Sequence, residues 1–144
     1  MKKRSLLPTV LCAAVSLVFL TGCGNNPKAV TEKWMKAIAR GDRDTAVRQV
    51  VGKDAKAKTR ELIRRVKETR RASRLDKDDD AAWVVSSFEA PCVGRPEIHG
   101  DLATVEILIG EDLREIKLRK VNGKWKIRLS GDKSAKWAPD NYLP

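Results

Sequence analysis

Histidine, tyrosine and cysteine are scarce in this chain of 144 residues, which has one histidine, one tyrosine and three cysteines. It lacks HExxH, Cys-x-x-Cys, Gly-x-Ser-x-Gly and a glycine-rich phosphate loop, the motifs on which many metal, acyl-transfer and nucleotide sites are built. His99 lies beside Gly100-Asp101, where we expect an exposed turn, and Tyr142 lies near the C-terminus. Among the carboxylates, only Glu89 is a candidate base. We therefore predict no catalytic residue, no metal and no cofactor.

A long apolar run is also missing, because the stretch from Leu6 to Leu20 is shorter than the ~20 residues that span a bilayer. This stretch contains Pro8 and Ser16, follows Lys2-Lys3-Arg4 and ends in Leu20-Thr21-Gly22-Cys23. An ordinary secretory signal would end in an A-x-A site instead. The segment resembles a bacterial lipoprotein signal peptide with its lipobox. The alternative is a core cysteine behind an unremarkable signal.

This resemblance implies that the chain is cut before Cys23 and that acyl chains on Cys23 hold the domain on a membrane. Each buried CH₂ contributes ~0.8 kcal/mol, so several acyl chains anchor almost irreversibly. In that family Gly24, rather than Asp, is typical of the outer membrane of a two-membrane bacterium; otherwise the expected place is the outer face of the cell membrane. The expected organisation is a removed signal peptide (1–22), a lipidated cysteine and tether (23–26), a folded domain (27–130) and a tail (131–144).

Positive charge remains once the leader is removed, because 27 basic residues then face 19 acidic ones, a formal charge of +8. Such a balance favours anionic partners: phospholipid headgroups, wall polymers, acidic proteins or nucleic acid. Export and the lack of aromatic residues interleaved with basic ones argue against nucleic acid. After Cys23 only Cys92 remains, which excludes an internal disulfide. We expect Cys92 to be a small buried residue rather than a reactive or intermolecular thiol.

Helical periodicity dominates the first half of the folded region. Asn26-Pro27 predicts a helix start, and an apolar stripe follows until Gly41. Asp42 is expected to cap a second, short helix that ends at Gly52. The stretch Lys53–Leu75 predicts a third helix with a core stripe of four residues, Leu62, Ile63, Val66 and Thr69.

Basic residues crowd the third predicted helix, with eleven Lys or Arg between Lys53 and Lys77. One interpretation is a basic helix that lies along an anionic surface. The other is a solvated helix with a narrow core stripe, which the shortage of large apolar anchors favours. Surface contact is then a secondary role.

Alternating apolar residues dominate the second half and predict an antiparallel sheet. The expected strands are Ala81–Ala90, Glu97–His99, Ala103–Ile109, a strand around Ile116 and Leu118, and Trp125–Leu129. Turns are expected at Glu111-Asp112 and Asn122-Gly123. They predict the pairs Val105–Leu118, Ile107–Ile116, Leu118–Ile127, Ile116–Leu129 and Lys120–Trp125. The predicted class is α+β, with two or three helices packed on a curved sheet of about four strands.

The other side of this sheet carries four basic residues on adjacent strands: Lys117, Arg119, Lys126 and Arg128. Lys117 is expected opposite Arg128, and Arg119 opposite Lys126. Like charges directly across a ladder are destabilising unless their side chains splay into water. Glu106 is expected opposite Lys117 as a favourable pair. The hypothesis is a face that meets an anionic partner; the alternative is a solvated basic face.

The segments Pro27-Lys28-Ala29-Val30, Ala103-Thr104-Val105 and Val121–Ile127 resemble small bacterial lipoproteins with a nuclear-transport-factor-two-like domain. This resemblance implies a cone-shaped fold that often dimerises, and the superfamily includes ketosteroid isomerase-like enzymes. The long basic third helix departs from that pattern. Trp34, Trp83 and Trp125 could line a pocket in the cone, although core packing is the commoner role of such residues. We therefore expect a non-catalytic binding domain, with a pocket protein or enzyme as the first alternative and a nucleic-acid binder as the second.

Overall fold

The computed structural model describes residues 25–76 and 79–129, which form four helices followed by a curled antiparallel sheet of five strands. The predicted signal peptide with its lipobox at 20–23, residues 23 and 24 of the predicted segment 23–26, and the tail lie outside the described residues. The predicted class α+β is confirmed, with more elements than expected. The elements are α1 (Pro27–Arg40), α2 (Arg43–Arg48), α3 (Lys53–Asp76), α4 (Asp79–Glu89), β1 (Cys92–Val93), β2 (Glu97–His99), β3 (Leu102–Ile109), β4 (Asp112–Val121) and β5 (Lys124–Arg128).

Helix α1 begins and ends where its sequence predicts. The side chain of Asn26 accepts a hydrogen bond of 2.7 Å from the main-chain N–H of Ala29, and Pro27 occupies the first turn. Gly41 ends the helix with φ of +73°, a left-handed conformation that glycine adopts without a steric penalty. The apolar stripe between these caps is buried, with Trp34 and Ile38 among the least exposed residues of the core.

Helix α2 is shorter than predicted, because it ends at Arg48 rather than at Gly52. The residues after it pair with the edge of the sheet instead. Val51 donates a hydrogen bond of 2.9 Å to the carbonyl of Ile127, and Ile127 donates one of 2.8 Å to the carbonyl of Gln49. This bridge covers the outer edge of β5.

The strand predicted at Ala81–Ala90 is wrong, because these residues belong mainly to helix α4. Its buried residues are Ala81, Val85 and Phe88, which are spaced by four and three positions as on one face of a helix. Asp79 and Asp80 in the first turn favour a helix start through their interaction with the helix dipole. The β-branched and aromatic residues of this short segment hid the helical period.

The β4–β5 hairpin has the predicted turn and register. Asn122 and Gly123 have φ of +50° and +74°, the positive values that a two-residue hairpin turn of type I′ needs. Leu118 pairs with Ile127, and Lys120 pairs with Trp125. Leu129 lies beyond the end of β5 and makes no ladder pair with Ile116.

The β3–β4 register differs from the prediction by two residues. Val105 pairs with Ile116, and Ala103 pairs with Leu118, because the turn is Gly110-Glu111 rather than Glu111-Asp112. Gly110 has φ of +59°, which glycine supplies more readily than glutamate. A shift of two preserves the face of every side chain, so the predicted core residues are buried despite the wrong pairing.

The concave side of the sheet packs on α1 and α4 and is filled by side chains. Trp34, Met35, Ile38 and Phe88 from the helices meet the inward residues of the strands, Val105, Ile107, Ile116, Leu118 and Ile127. The indole N–H of Trp34 donates a hydrogen bond of 3.4 Å to the hydroxyl of Thr59 on α3. The core therefore contains residues of all four helices and of the sheet, and it leaves the convex face of the sheet to solvent.

Candidate functional site

The convex face of the sheet carries the four basic residues that the sequence singles out. We call Lys117, Arg119, Lys126 and Arg128 the sheet-face cluster. The ladder pairs Lys117 with Arg128 and Arg119 with Lys126, as predicted. Three of the side chains are exposed and that of Lys126 is half-buried. The structure therefore brings all four together on two adjacent strands.

The predicted partner of this cluster lies elsewhere. Glu106 pairs with Glu115 rather than with Lys117, because of the shifted β3–β4 register, and Thr104 lies opposite Lys117. Within residues 25–76 and 79–129, no ion pair neutralises a member of the sheet-face cluster. The convex face thus separates an acidic pair from four basic residues that have no carboxylate partner among the described residues.

Lys126 connects this cluster with the helices. Its ammonium group donates a hydrogen bond to the carbonyl of Arg48, at the end of α2. Partial burial lowers the pKa of Lys126, and the nearby charges of Lys124, Lys33 and Lys56 lower it further. Cations from α1, α3 and β5 therefore surround one lysine.

Helix α3 concentrates its basic residues on one face. At 100° per residue, seven of them fall within an arc of about 80°. We call this set the helix stripe; it comprises Lys53, Lys56, Arg60, Arg64, Lys67, Arg71 and Arg74. All seven are exposed, and the stripe runs along nearly the whole helix.

Acidic residues of α3 lie on the neighbouring strip of the helix and bind only part of the stripe. Arg64 donates hydrogen bonds to Glu61 and, at 2.7 Å, to Glu68. Arg65 adds a bond of 3.1 Å to Glu61. These hydrogen bonds, with the larger contribution from Arg64, lower the pKa of Glu61 to about 2. One member of the helix stripe is thus paired with carboxylates on its own helix.

A groove of about 460 Å³ lies between α1 and α2. Its lining is largely charged and includes Glu32, Lys33, Lys36, Arg40 and Asp42. Asp42 caps α2. Hydrogen bonds from Thr45 lower the pKa of Asp42, and the bond from the Thr45 side chain has a larger effect than the bond from its backbone N–H. An apolar small molecule would find few complementary surfaces in such a groove.

The three tryptophans proposed as pocket lining do not converge. Trp34 is fully buried in the core, and Trp125 is 6% exposed beneath the ammonium of Lys120, which lies 5.5 Å from the ring centroid. Trp83 is 58% exposed on the outer side of α4. None of them lines the groove between α1 and α2.

Chemistry-bearing side chains are dispersed. His99 is exposed in β2, and Glu89 ends α4, where it accepts a hydrogen bond of 2.8 Å from Arg70. In the part of the chain that the structure describes, no three His, Cys, Asp or Glu residues cluster as a metal site would require.

The prediction that Cys92 is buried is wrong. Strand β1 lies at the sheet edge and turns this thiol to the convex side, where it is exposed.

Asn25 has a structural role that the sequence did not reveal. Its side-chain amide donates a hydrogen bond of 3.0 Å to the carbonyl of Gly123, and its side-chain oxygen accepts one of 3.2 Å from the N–H of Trp125. A residue assigned to a tether is therefore fixed to the β4–β5 hairpin. Nothing local in the sequence marks this contact, which spans about a hundred residues.

The comparisons with known proteins give no relative: no family model, no curated protein and no solved structure matches this chain. Among the helices described between residues 25 and 129, none is long and apolar enough to cross a membrane. The charges and contacts above are therefore the basis on which function is argued.

Proposed function

We propose that this protein is a lipid-anchored cell-envelope protein whose domain binds an anionic envelope component without catalysing a reaction. The sheet-face cluster is the proposed binding surface. The observation that carries this proposal is the pairing of Lys117 with Arg128 and of Arg119 with Lys126, with no counter-ion among the described residues. Like charges opposed across a ladder destabilise the sheet, and an anionic partner would remove that penalty.

The anchor is proposed at Cys23, on the lipobox Leu20-Thr21-Gly22-Cys23 and the basic, apolar leader before it. Asn25 is fixed to the β4–β5 hairpin only two residues later, and two residues of extended chain span about 7 Å. A lipid on Cys23 would thus hold the domain close to the bilayer, in the outer membrane of a two-membrane bacterium or on the outer face of the cell membrane.

The fold is proposed to be nuclear-transport-factor-two-like. Helices that precede a curled antiparallel sheet, and helices α1 and α4 packed against its concave side, support this assignment. Enzymes with that fold need an open cone with an inward base. Here the concave side is filled by Trp34, Phe88 and their neighbours, which favours binding at the surface over chemistry in a pocket.

The anchor is tested by labelling cells with radioactive palmitate. The wild-type chain is expected to incorporate label and to sediment with membranes, whereas Cys23→Ser is expected to do neither. Cys12→Ser is the matched control, since Cys12 lies within the expected signal peptide (1–22), which cleavage would remove. Equal labelling of Cys23→Ser and wild type would exclude the anchor.

The binding surface is tested with the unlipidated mature chain, residues 23–144 carrying Cys23→Ser, which retains every described contact. Arg119→Glu with Arg128→Glu is expected to reduce sedimentation with an envelope fraction at least tenfold. The control, Arg43→Glu with Arg95→Glu, makes the same change of charge at exposed residues on α2 and in the loop between β1 and β2. Unchanged association of the first variant, or an equal loss in both, would refute the sheet-face cluster as the surface.

A further inference from the structure

We propose that the helix stripe of α3 is a second membrane contact, which binds the anionic phospholipid headgroups of the bilayer that holds the lipid on Cys23. This inference rests on the proposed anchoring. It assigns a separate surface and role to α3, whereas the sheet-face cluster remains available for the envelope partner.

The geometry of the stripe suits a flat surface. From Lys53 to Arg74 the helix rises about 30 Å at 1.5 Å per residue, and the basic residues recur once or twice in nearly every turn. Their arc of about 80° places them all on one side of a straight rod. A headgroup plane can contact such a line of cations along its whole length.

Carboxylates of the described residues pair with only part of the stripe. Arg64 is the member bound to Glu61 and Glu68. In the part of the chain that the structure describes, no ion pair involves Arg60, Lys67 or Arg71. The acidic residues therefore leave a net positive face. Each basic residue near an anionic membrane contributes ~1 kcal/mol of attraction.

The composition of this face indicates adsorption rather than insertion. It carries long cationic side chains, and its large apolar neighbour is Leu75, 74% exposed at the far end. Membrane-inserting helices present a broad apolar face instead. The expected binding is thus electrostatic and sensitive to salt.

Asn25, two residues after Cys23 in the sequence, lies at the end of the domain where the stripe begins. Asn25 contacts Trp125, the next residue Lys126 interacts with Lys56, and Lys56 lies near the start of the stripe. Helices α1 and α3 also run in the same general direction, because Trp34 contacts Thr59 and Arg70 donates to the carbonyl of Ala39. A lipid at this end would hold the stripe at high effective concentration near the headgroups, which favours a bilayer over a soluble polyanion.

The test measures binding of the Cys23→Ser mature chain to vesicles, so that its outcome does not depend on lipidation. The vesicles are phosphatidylcholine alone or mixed with phosphatidylglycerol. The helix variant combines Arg60→Gln, Lys67→Gln and Arg71→Gln, which preserve helix propensity. The control combines Lys36→Gln, Arg43→Gln and Arg95→Gln, an equal loss of charge at exposed sites outside α3. Circular dichroism establishes that each variant is folded.

We expect wild type to bind the anionic vesicles and not the neutral ones. The helix variant should bind about a hundredfold more weakly, at roughly fivefold per cation removed, and the control much less so. An equal loss of vesicle affinity in both variants would mean that binding depends on net charge alone, and it would overturn the proposal. The absence of wild-type binding at low salt would overturn it as well.

Polyphosphate serves as the competing probe. If the helix variant loses affinity for polyphosphate while its vesicle binding is unchanged, the partner is a polymer and the bilayer contact is refuted. Arg119→Glu with Arg128→Glu is measured in the same assay. A loss confined to that variant would place vesicle binding on the sheet face, so failure of this inference is distinguishable from failure of the proposed function.

Discussion

Asn25 is bonded to Trp125, a residue about a hundred positions away: the main-chain N–H of Trp125 donates to the side-chain oxygen of Asn25 over 3.2 Å. The amide of Asn25 also donates to the carbonyl of Gly123. The point at which the chain enters the domain is therefore fixed to the β4–β5 hairpin.

Asn25→Ala is expected to lower the free energy of unfolding by about 1–2 kcal/mol, since two hydrogen bonds at ~0.5–1.5 kcal/mol each are lost in a partly exposed place. Urea unfolding of the Cys23→Ser mature chain measures it. Lys28→Ala, an exposed change in the first turn of α1, is the control and should have little effect. A midpoint equal to that of wild type would mean that the Asn25 contact is not formed in solution.

Glu61 is expected to make stability depend on pH in the acid range. Its pKa falls from 4.5 to about 2 on folding, because Arg64 and Arg65 bond its carboxylate. The stabilisation is complete above pH 4.5 and is lost as the pH falls toward 2. The melting temperature of Glu61→Gln should therefore lie below that of wild type at neutral pH, and the gap should close on acidification.

The matched control for this experiment is Glu32→Gln on α1. Because Glu61 is on the surface, added salt should also narrow the gap between Glu61→Gln and wild type. A gap that stays constant from neutral pH to pH 2 would contradict the assignment of the acid sensitivity to Glu61.

Trp34 and Trp83 are expected to respond oppositely to truncation. Trp34→Ala should destabilise the domain by about 3–5 kcal/mol, because a fully buried ring leaves a cavity. Trp83→Ala should change the free energy of unfolding by less than about 0.5 kcal/mol, because the ring is largely exposed. Urea unfolding followed by circular dichroism compares them. A nearly neutral Trp34→Ala would indicate that Trp34 lines an open pocket and would revive the small-molecule alternative.

Lys56→Glu is expected to stabilise the domain by giving Lys126 an opposite charge nearby. An exposed pair contributes ~0.2–1 kcal/mol, which corresponds to a rise in melting temperature of roughly 1–6 °C for a domain of this size. Differential scanning fluorimetry at low salt measures it, with Lys36→Glu on α1 as the control. If Lys56→Glu melts at or below the wild-type temperature, Lys56 does not repel Lys126 in solution.

Local chemistry accounts for the features that the sequence predicted well. The caps of α1 at Asn26 and Gly41 and the turn at Asn122-Gly123 each depend on a few neighbouring residues. The sheet-face cluster was predicted for the same reason, since the short turn fixes which residues of β4 and β5 are opposed. The position of the helix stripe on α3 also depends only on residue spacing. The sequence analysis counted the basic residues of this helix but did not place basic and acidic residues on separate strips.

Features that depend on tertiary packing were predicted poorly. The segment from Asp79 to Glu89 is short, and its β-branched residues favour a strand until contact with α1 and α3 selects the helix. The proximity of Lys56 and Lys126, like the bond between Asn25 and Trp125, joins residues distant in sequence. Cys92 is exposed because β1 lies at the edge of the sheet, which a count of cysteines does not reveal.

Both margins of the sheet discourage pairing with a further strand. Residues 49–51 already occupy the edge of β5, and the opposite margin consists of the very short β1 and β2, separated by a segment that contains Pro96. A peptide partner that docks by extending the ladder would find little free backbone at either side. Side chains, rather than free backbone, must then make the contacts with a partner. Because lysine and arginine are in excess, the affinity should depend more strongly on ionic strength than on the partner's sequence.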